Sequence, residues 1–208
     1  MKYNDLENSL FKLKPVFNIK DIKLAGFRVF PYQFSYWIKD GKIKKLANGF
    51  YTFTKAEVKF EYIANFLQQP SYISLQYALY YYNLIVDIPF HVTSVTTKNT
   101  RKIEVGDAVY LYHHVAPRLY NGFVMAENQN KTAGMSFLIA TPEKALVDLF
   151  YLNPTRFNVK SDFVEARFYE DEMKKKIDWR GVFNIAILYK NKNLEKRLYD
   201  FKNYIFSN

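Results

Sequence analysis

One segment of the chain, residues 31–53, combines a short amphipathic stretch with a basic, strand-like stretch. Residues 31–39 read PYQFSYWIK, in which Phe34, Trp37 and Ile38 have the i, i+3, i+4 spacing of a helix with one buried face. Gly41 predicts the end of this helix, because glycine readily takes the left-handed conformation of a helix C-cap. We therefore expect a helix over Pro31–Lys39 that stops at a glycine.

A β-hairpin is predicted directly after this helix. Residues 42–47 (KIKKLA) and 50–53 (FYTF) are separated by Asn48-Gly49. Asn-Gly between two strand-like runs is a strong hairpin signal, since both central residues of a type I′ turn need positive φ. Ile43 and Leu46 are three residues apart, so strict strand alternation fails and we expect a bulge or a short strand.

A second helix is predicted upstream of the first. Asn18 has the side chain of a helix N-cap, a helix can begin near Ile19, and Gly26 marks its end. Pro31 is favoured at the first position of the helix that follows. A helix, a turn, a second helix and a basic hairpin together predict a winged helix-turn-helix.

The positive charge is concentrated in the same part of the chain. Residues 1–60 contain 12 Lys or Arg and 5 Asp or Glu, whereas residues 61–208 contain 18 and 15. A basic surface on one small unit is the electrostatic footprint of a protein that binds the phosphate backbone. Helix-turn-helix units also serve as protein contacts, so a small helical core without a nucleic-acid ligand is the alternative.

The predicted helix and hairpin supply the candidate DNA-binding residues. These are Arg28, Tyr32, Gln33, Ser35, Lys39, Lys42, Lys44, Lys45 and Asn48. The lysines are expected to neutralise phosphates, each adding about 0.9 to the slope of log affinity against log salt. Tyr32, Gln33 and Ser35, with Arg28, are expected to contact base edges. This base-reading set is unusually aromatic.

Composition excludes several classes of site. The chain has no cysteine, which excludes disulfides, thiolate metal sites and cysteine nucleophiles. No apolar run approaches the roughly 20 residues of a membrane span, and no signal-peptide pattern begins the chain. We therefore expect a soluble, cytoplasmic protein without a membrane partner. Phe and Tyr, together with Lys, Asn and Ile, are plentiful, a bias that A·T-rich coding produces.

The rest of the chain predicts helices, then a sheet, then helices. The absence of a Gly/Ser linker predicts a packed junction near residues 54–59. Strands are expected over 90–96, 108–115, 122–126 and 135–140, with a polar turn over 128–134. Helices are expected over 60–68, 75–84 (capped by Ser74), 162–176, 182–190 and 194–206, and from Thr141-Pro142-Glu143 onward.

These patterns define the expected fold class, which is α+β. Residues 1–58 are predicted to form a winged helix-turn-helix DNA-binding domain. Residues 59–208 are predicted to form a mixed α/β domain with a small, mostly antiparallel sheet and C-terminal helices.

Catalytic patterns are weak. His91, His113 and His114 are the only histidines, and neighbours 113 and 114 would point to opposite faces of a strand. Glu172-Met-Lys174 has a spacing found in nucleases, but a charged run of this kind is usually a solvated helix face. We therefore expect no catalytic residues, no metal site, no cofactor and no enzymatic activity; a nuclease is the less favoured alternative.

Three segments, taken in order, resemble one family. They are DGKIKKLANGFY (40–51), PSYISLQYALYYYNLI (70–85) followed by HVTSVTT (91–97), and ATPEKALVDLFYL (140–152). Together they resemble the AbiEi antitoxins, the regulator half of type IV (abortive infection) toxin–antitoxin systems of phage defence. The second and third segments are the specific ones.

The resemblance implies a non-enzymatic antitoxin and transcriptional autoregulator. Its partners would be double-stranded operator DNA and a nucleotidyltransferase-like toxin encoded beside it. A protein-interaction module that has lost DNA binding remains the alternative function.

Overall fold

The computed structural model describes residues 2–11, 13–126 and 135–207, which form a mixed α+β fold. Short helices and short strands make up the N-terminal third of the chain. Their bounds are α1 Tyr3–Leu10, β1 Val16–Asn18, α2 Ile19–Leu24, α3 Pro31–Lys39, β2 Ile43–Ala47 and β3 Phe50–Phe53. The three strands form an antiparallel sheet in the order β1-β3-β2.

Local sequence explains the two helices that precede the hairpin. The Asn18 side chain accepts hydrogen bonds from the backbone N–H groups of Lys20 (2.7 Å) and Asp21 (3.1 Å), as an N-cap does. Gly41 has a φ of +68°, the left-handed conformation that ends α3. The predicted starts of α2 and α3 and the predicted end of α3 are therefore confirmed.

The hairpin corrects one prediction and confirms another. Of the two turn residues, only Gly49 has a positive φ (+81°), so the predicted type I′ turn is wrong. The register of β2 against β3 shifts between Lys45 and Ala47, which confirms the predicted irregularity.

These elements enclose their own small hydrophobic core. We call it the N-terminal cluster, and its buried members are Leu6, Leu10, Phe17, Ile22, Phe34, Trp37, Ile43 and Phe53. It joins one face of the three-stranded sheet to helices α1, α2 and α3. Burying each large apolar side chain of this kind contributes about 1.5–3 kcal/mol of transfer free energy.

The remainder of the chain adds a second sheet with helices around it. The helices are α4 Phe60–Leu67, α5 Leu75–Tyr81, α6 Pro142–Leu152, α7 Lys160–Glu165, α8 Glu170–Lys176, α9 Trp179–Ile187 and α10 Lys192–Phe206, with a 3₁₀ turn at Pro117–Leu119. The strands are β4 Ser71–Ile73, β5 His91–Thr96, β6 Arg101–Val105, β7 Ala108–His114, β8 Phe123–Ala126 and β9 Phe137–Ala140.

The second sheet is mixed, with the strand order β6-β7-β5-β4-β9-β8. β5 pairs with β7 and β4 pairs with β9 in parallel, while the other three pairings are antiparallel. The expected small, mostly antiparallel sheet is thus a six-stranded mixed sheet. The parallel pairings join strands that are not consecutive in the chain, since β6 separates β5 from β7 and several elements separate β4 from β9. Strand patterns do not reveal such pairing.

Other differences have local causes. The sequence did not predict β1, β4 or β6, because the first two have only three residues each and β6 reads RKIEV, with three charged side chains. The helix predicted over 162–176 is divided into α7 and α8, and Arg167 between them has a left-handed φ of +48°. The polar turn predicted over 128–134 lies outside the described residues.

The two parts of the chain meet in a packed junction, as the lack of a linker predicts. The Phe50 ring contacts the Phe66 ring edge-on, with centroids 5.7 Å apart. The Val16 side chain is fully buried and belongs to the larger hydrophobic core of the second part, which we call the C-terminal cluster. The domain boundary at residues 58 and 59 stays a prediction.

Candidate nucleic-acid interface

Helix α3 exposes one continuous stripe of side chains. Four residues, spaced i, i+3, i+4 and i+7, are solvent-exposed and share one side of the helix: Tyr32, Ser35, Tyr36 and Lys39. We call them the outer stripe. The tyrosines retain 69% and 61% of their accessible surface. The opposite side of α3 is buried.

Aromatic contacts fix the orientation of α3. Phe34 lies 4.6 Å from Tyr51 of β3, and Trp37 lies 6.0 Å from Tyr3 of α1, both measured between ring centroids. The backbone N–H of Lys42 donates to the Trp37 carbonyl (2.9 Å), which joins the end of α3 to the hairpin. The outer stripe is therefore presented by a helix that is anchored on its inner side.

Two further groups extend the stripe at the start of α3. The Phe30 ring stacks on the Tyr32 ring, with centroids 5.9 Å apart and planes 13° apart. The Arg28 guanidinium lies 5.3 Å from the Phe30 centroid, within the range of a cation–π contact. Arg28, Phe30 and Tyr32 thus form an exposed stack.

The hairpin places two candidate lysines on opposite sheet faces. Lys45 lies opposite Tyr51, whose ring packs on α3, so Lys45 is on the α3 side of the sheet. Lys44 lies opposite Thr52, which also pairs with the buried Val16. Lys44 is therefore on the face that packs against the C-terminal cluster. Both lysines are exposed.

Two other candidates have protein partners. Lys42 forms an ion pair with Asp40 (2.8 Å), and this carboxylate raises the pKa of Lys42. The Gln33 side-chain carbonyl accepts a hydrogen bond from the Phe30 backbone N–H (3.0 Å), and the residue is half-buried. The Lys42 and Gln33 side chains are therefore engaged within the protein. Ser35 and the turn residue Asn48 are exposed to solvent.

Charge near the outer stripe is unbalanced toward positive. Lysines engage three acids of the N-terminal part, in the pairs Lys55–Glu7, Lys14–Asp21 and Lys42–Asp40. Among the described residues, Lys39, Lys44 and Lys45 have no ion pair. These three positive charges remain available to an anionic partner.

The structure adds one residue that sequence reasoning missed. Tyr36 lies one turn after Tyr32 on the outer stripe and is similarly exposed. Its i+4 spacing from Tyr32 was the available signal. Gln33, predicted together with Tyr32 and Ser35 to contact base edges, is half-buried.

A buried polar network occupies the second part of the molecule. The Lys144 ammonium is fully buried and donates to the Leu119 carbonyl (2.9 Å), to Asp148 (2.8 Å) and to the Tyr189 hydroxyl. Lys144 and Asp148 are spaced i, i+4 on α6. The network therefore ties α6 to the turn after α9 and to the loop before β8.

Asp148 connects the same network to α5 and β4. Its other carboxylate oxygen accepts from the Tyr72 hydroxyl (2.9 Å) and the Ser74 hydroxyl (2.8 Å). The predicted N-cap role of Ser74 is wrong, because this hydroxyl bonds Asp148 instead of the α5 backbone. Burial, reinforced by Asp148, raises the pKa of Tyr72 and of Tyr189. The network is closed to solvent and has a structural role.

The residues that the sequence offers as catalytic candidates do not form a common site. His114 is exposed and His113 is half-buried on the other face of β7, and burial lowers the pKa of His113. Glu172 forms an i, i+4 ion pair with Lys176 (2.7 Å). No group of three or more His, Cys, Asp or Glu side chains within the described ranges is placed to hold a metal ion.

A cavity of about 870 Å³ lies between the second sheet and the helices α6 and α7. Its walls include Leu149 and Phe168, and its polar side chains include Gln76, His113 and Arg156. Its size and mainly apolar walls are those of small-molecule sites. It lies in the second part of the chain, and none of the predicted DNA-binding residues lines it.

Two further findings bear on function. In the part of the chain that the structure describes, no helix has the length and apolar character needed to cross a membrane. No protein-family model and no curated protein matches this chain.

Proposed function

We propose that the N-terminal part is a winged helix-turn-helix that binds double-stranded DNA, and that the protein represses its own operon. Support comes from the order of elements, α1-β1-α2-α3-β2-β3, with the strands arranged β1-β3-β2. In this interpretation α2 and α3 are the helix-turn-helix, and β2 and β3 are the wing.

The observation that carries the proposal is the outer stripe with its neighbouring unpaired lysines. An α-helix with side chains is about 10–12 Å across and fits the roughly 12 Å major groove of B-DNA. Insertion of α3 would bring Tyr32, Ser35 and Tyr36 to base edges. Lys39 and the wing Lys45 would then contact phosphates on either side of the groove.

We also propose that the protein is an antitoxin that counters a nucleotidyltransferase-like toxin. This part of the proposal is supported by the AbiEi resemblance. The third resembling segment forms α6, which contributes Lys144 and Asp148 to the buried network. In this proposal the protein acts in the cytoplasm and uses no cofactor.

A DNA titration tests the regulator proposal. The probe is a fluorescent duplex from the region upstream of the gene, and affinity is measured at about 50 and about 200 mM salt. We expect saturable binding with a steep salt slope, since each neutralised phosphate adds about 0.9. The double variant Lys39→Ala, Lys45→Ala should lower the slope by roughly 2.

The control variant is Lys196→Ala, on the C-terminal helix α10, which should keep the wild-type slope. Absence of saturable binding by the wild-type protein at the lower salt concentration would favour the alternative, an interaction module without DNA binding. Co-expression with the neighbouring gene tests the antitoxin proposal separately. Rescue of growth by this protein supports it, and failure to rescue contradicts it.

A further inference from the structure

We propose that the outer stripe of α3 recognises thymine methyl groups in the major groove of A·T-rich DNA. This inference rests on the proposed DNA binding and adds the base preference of the same surface. It assigns Tyr32 and Tyr36 as specificity-determining residues, with Phe30 as a third apolar contact at the start of the helix.

The first support is a group of exposed apolar side chains at α3. Phe30 (43%), Tyr32 (69%), Tyr36 (61%) and Ile38 (38%) are all exposed on or beside one short helix. Single exposed apolar residues are ordinary, but a contiguous group marks a contact surface. Since the buried side of α3 already fills the N-terminal cluster, this exposure is not needed to build the core.

Charge identifies the kind of partner. Lys39 ends the outer stripe and Lys45 lies on the α3 side of the neighbouring hairpin, and neither has an acidic partner in the stretches that the structure describes. Arg28 stacks at the other end of the stripe. Three of the five acids of residues 1–60, Glu7, Asp21 and Asp40, are engaged by other lysines. An apolar strip bordered by positive charge matches an apolar groove floor bordered by phosphates. Duplex DNA has that arrangement where thymine methyl groups line the major groove.

The side chains favour A·T over G·C pairs. The thymine C5-methyl is the apolar group that the base edges present in the major groove, and aromatic rings contact it well. Guanine is most often recognised by a bidentate Arg or Lys. On the outer stripe the only cation is Lys39, at the C-terminal end of the helix, while Arg28 stacks on Phe30. The tyrosine hydroxyls can hydrogen-bond adenine N7 or thymine O4.

Composition gives independent support. The chain contains 19 Phe and 18 Tyr but only 7 Gly and 7 Pro. Phe and Tyr have A·T-rich codons, and Gly and Pro have G·C-rich codons. The gene, and by extension the DNA beside it, is therefore rich in thymine. A regulator that binds its own upstream region meets a methyl-lined groove.

The test compares two duplexes of identical sequence from the upstream region, one with thymine and one with deoxyuracil throughout. Deoxyuracil removes the methyl groups and keeps the hydrogen-bonding edges. Burial of one methyl-sized group changes affinity by roughly fourfold. We expect the thymine duplex to bind at least about tenfold more tightly, as two or more methyl contacts would give.

Two serine variants connect this preference to the helix. Tyr32→Ser and Tyr36→Ser should each lower the thymine-to-uracil affinity ratio, and the double variant should bring it near one. Tyr199→Ser, which alters a tyrosine on α10 with 57% exposure, is the matched control and should keep the wild-type ratio. Near-ultraviolet circular dichroism checks that each variant is folded.

The possible outcomes distinguish the thymine-methyl inference from the proposal of DNA binding on which it rests. Equal, salt-dependent binding of both duplexes by the wild-type protein overturns the methyl inference and leaves DNA binding intact. No binding of either duplex at low salt overturns DNA binding itself. A thymine preference that persists in the folded double variant shows that other residues read the methyl groups, and this too overturns the assignment.

Discussion

The exposed lysines of α3 and of the β2–β3 hairpin contrast with Lys144 of α6. Lys144 is fully buried and its ammonium donates to a carbonyl, a carboxylate and a hydroxyl. Lys39 and Lys45 are exposed and, within the described part of the chain, have no carboxylate partner. A buried charge requires every partner in place, because desolvation costs several kcal/mol per ion. An exposed charge at a binding surface is useful because its partner is absent. The same residue type is thus part of a buried network in one part of the chain, whereas in the proposed function it contacts phosphate in the other.

The largest effect should come from breaking the buried network. Asp148→Ala leaves the Lys144 ammonium without its counter-charge and removes the acceptor of Tyr72 and Ser74. Loss of one partner of a buried pair typically costs about 3–5 kcal/mol of unfolding free energy. Urea denaturation should show a large fall in the midpoint with little change in slope.

The double variant Lys144→Met, Asp148→Leu is the control for that experiment. It removes both charges and replaces them with apolar side chains, so it should be less destabilised than Asp148→Ala. Equal stability of the wild type and Asp148→Ala would show that the network contributes nothing to the fold.

A pair of glycines tests how closely Lys144 is packed. Gly122 has a φ of +72°, and a Cβ added there would lie 3.0 Å from the Lys144 side chain. Gly106 has a φ of +56° but no atom within 4 Å of such a Cβ. Both alanine variants carry backbone strain of about 1–2 kcal/mol. Gly122→Ala should lose more stability than Gly106→Ala in the same urea assay, and equal losses would argue against tight packing at Lys144.

The contrast between the two lysine sites also shows what the sequence could reveal. The bounds of α3, two of its three predicted buried residues and the exposed lysines follow from i, i+3, i+4 spacing, Pro31 and Gly41, which are local signals. The third, Ile38, is 38% exposed, so its assignment to the buried face is wrong. The Lys144 network depends on Tyr72, Ser74 and Tyr189, which are far from Asp148 in the chain. Pairing over such distances leaves no trace in periodicity, so Ser74 was assigned to a helix cap.

The candidate DNA-binding residues, like the bounds of α3, could be predicted where local signals place them. Most of the predicted residues lie on α3 or the hairpin, because helix and hairpin were recognised correctly. Lys44 and Lys45 lie on opposite faces of the sheet because of the strand register. The sequence could not predict this register, because an irregularity was expected within β2. Tyr36 lies among aromatic residues that also supply the buried side of α3, so residue type alone does not reveal that its side chain is exposed.

The register difference predicts unequal effects of two neighbouring lysines. Lys45 lies on the α3 side of the sheet and Lys44 on the side of the C-terminal cluster. We expect Lys45→Ala to lower the salt slope of DNA binding by about 0.9 and Lys44→Ala to lower it by less. The measurement is affinity at several salt concentrations for each variant. A larger loss for Lys44→Ala would place the DNA on the other face of the hairpin.

The smallest expected effect concerns Lys42, whose positive charge is already paired with the Asp40 carboxylate. Asp40 pairs with Lys42 at an exposed position and lies at the C-terminus of α3, where a negative charge opposes the helix dipole. Asp40→Asn should therefore preserve α3 while releasing Lys42 to bind phosphate. Water and salt screen an exposed ion pair, so DNA affinity at low salt should rise by only about two- to fivefold. Adding Lys42→Ala to the Asp40→Asn variant should cancel the gain. If the gain survived that second substitution, loss of repulsion between Asp40 and phosphate would be its cause.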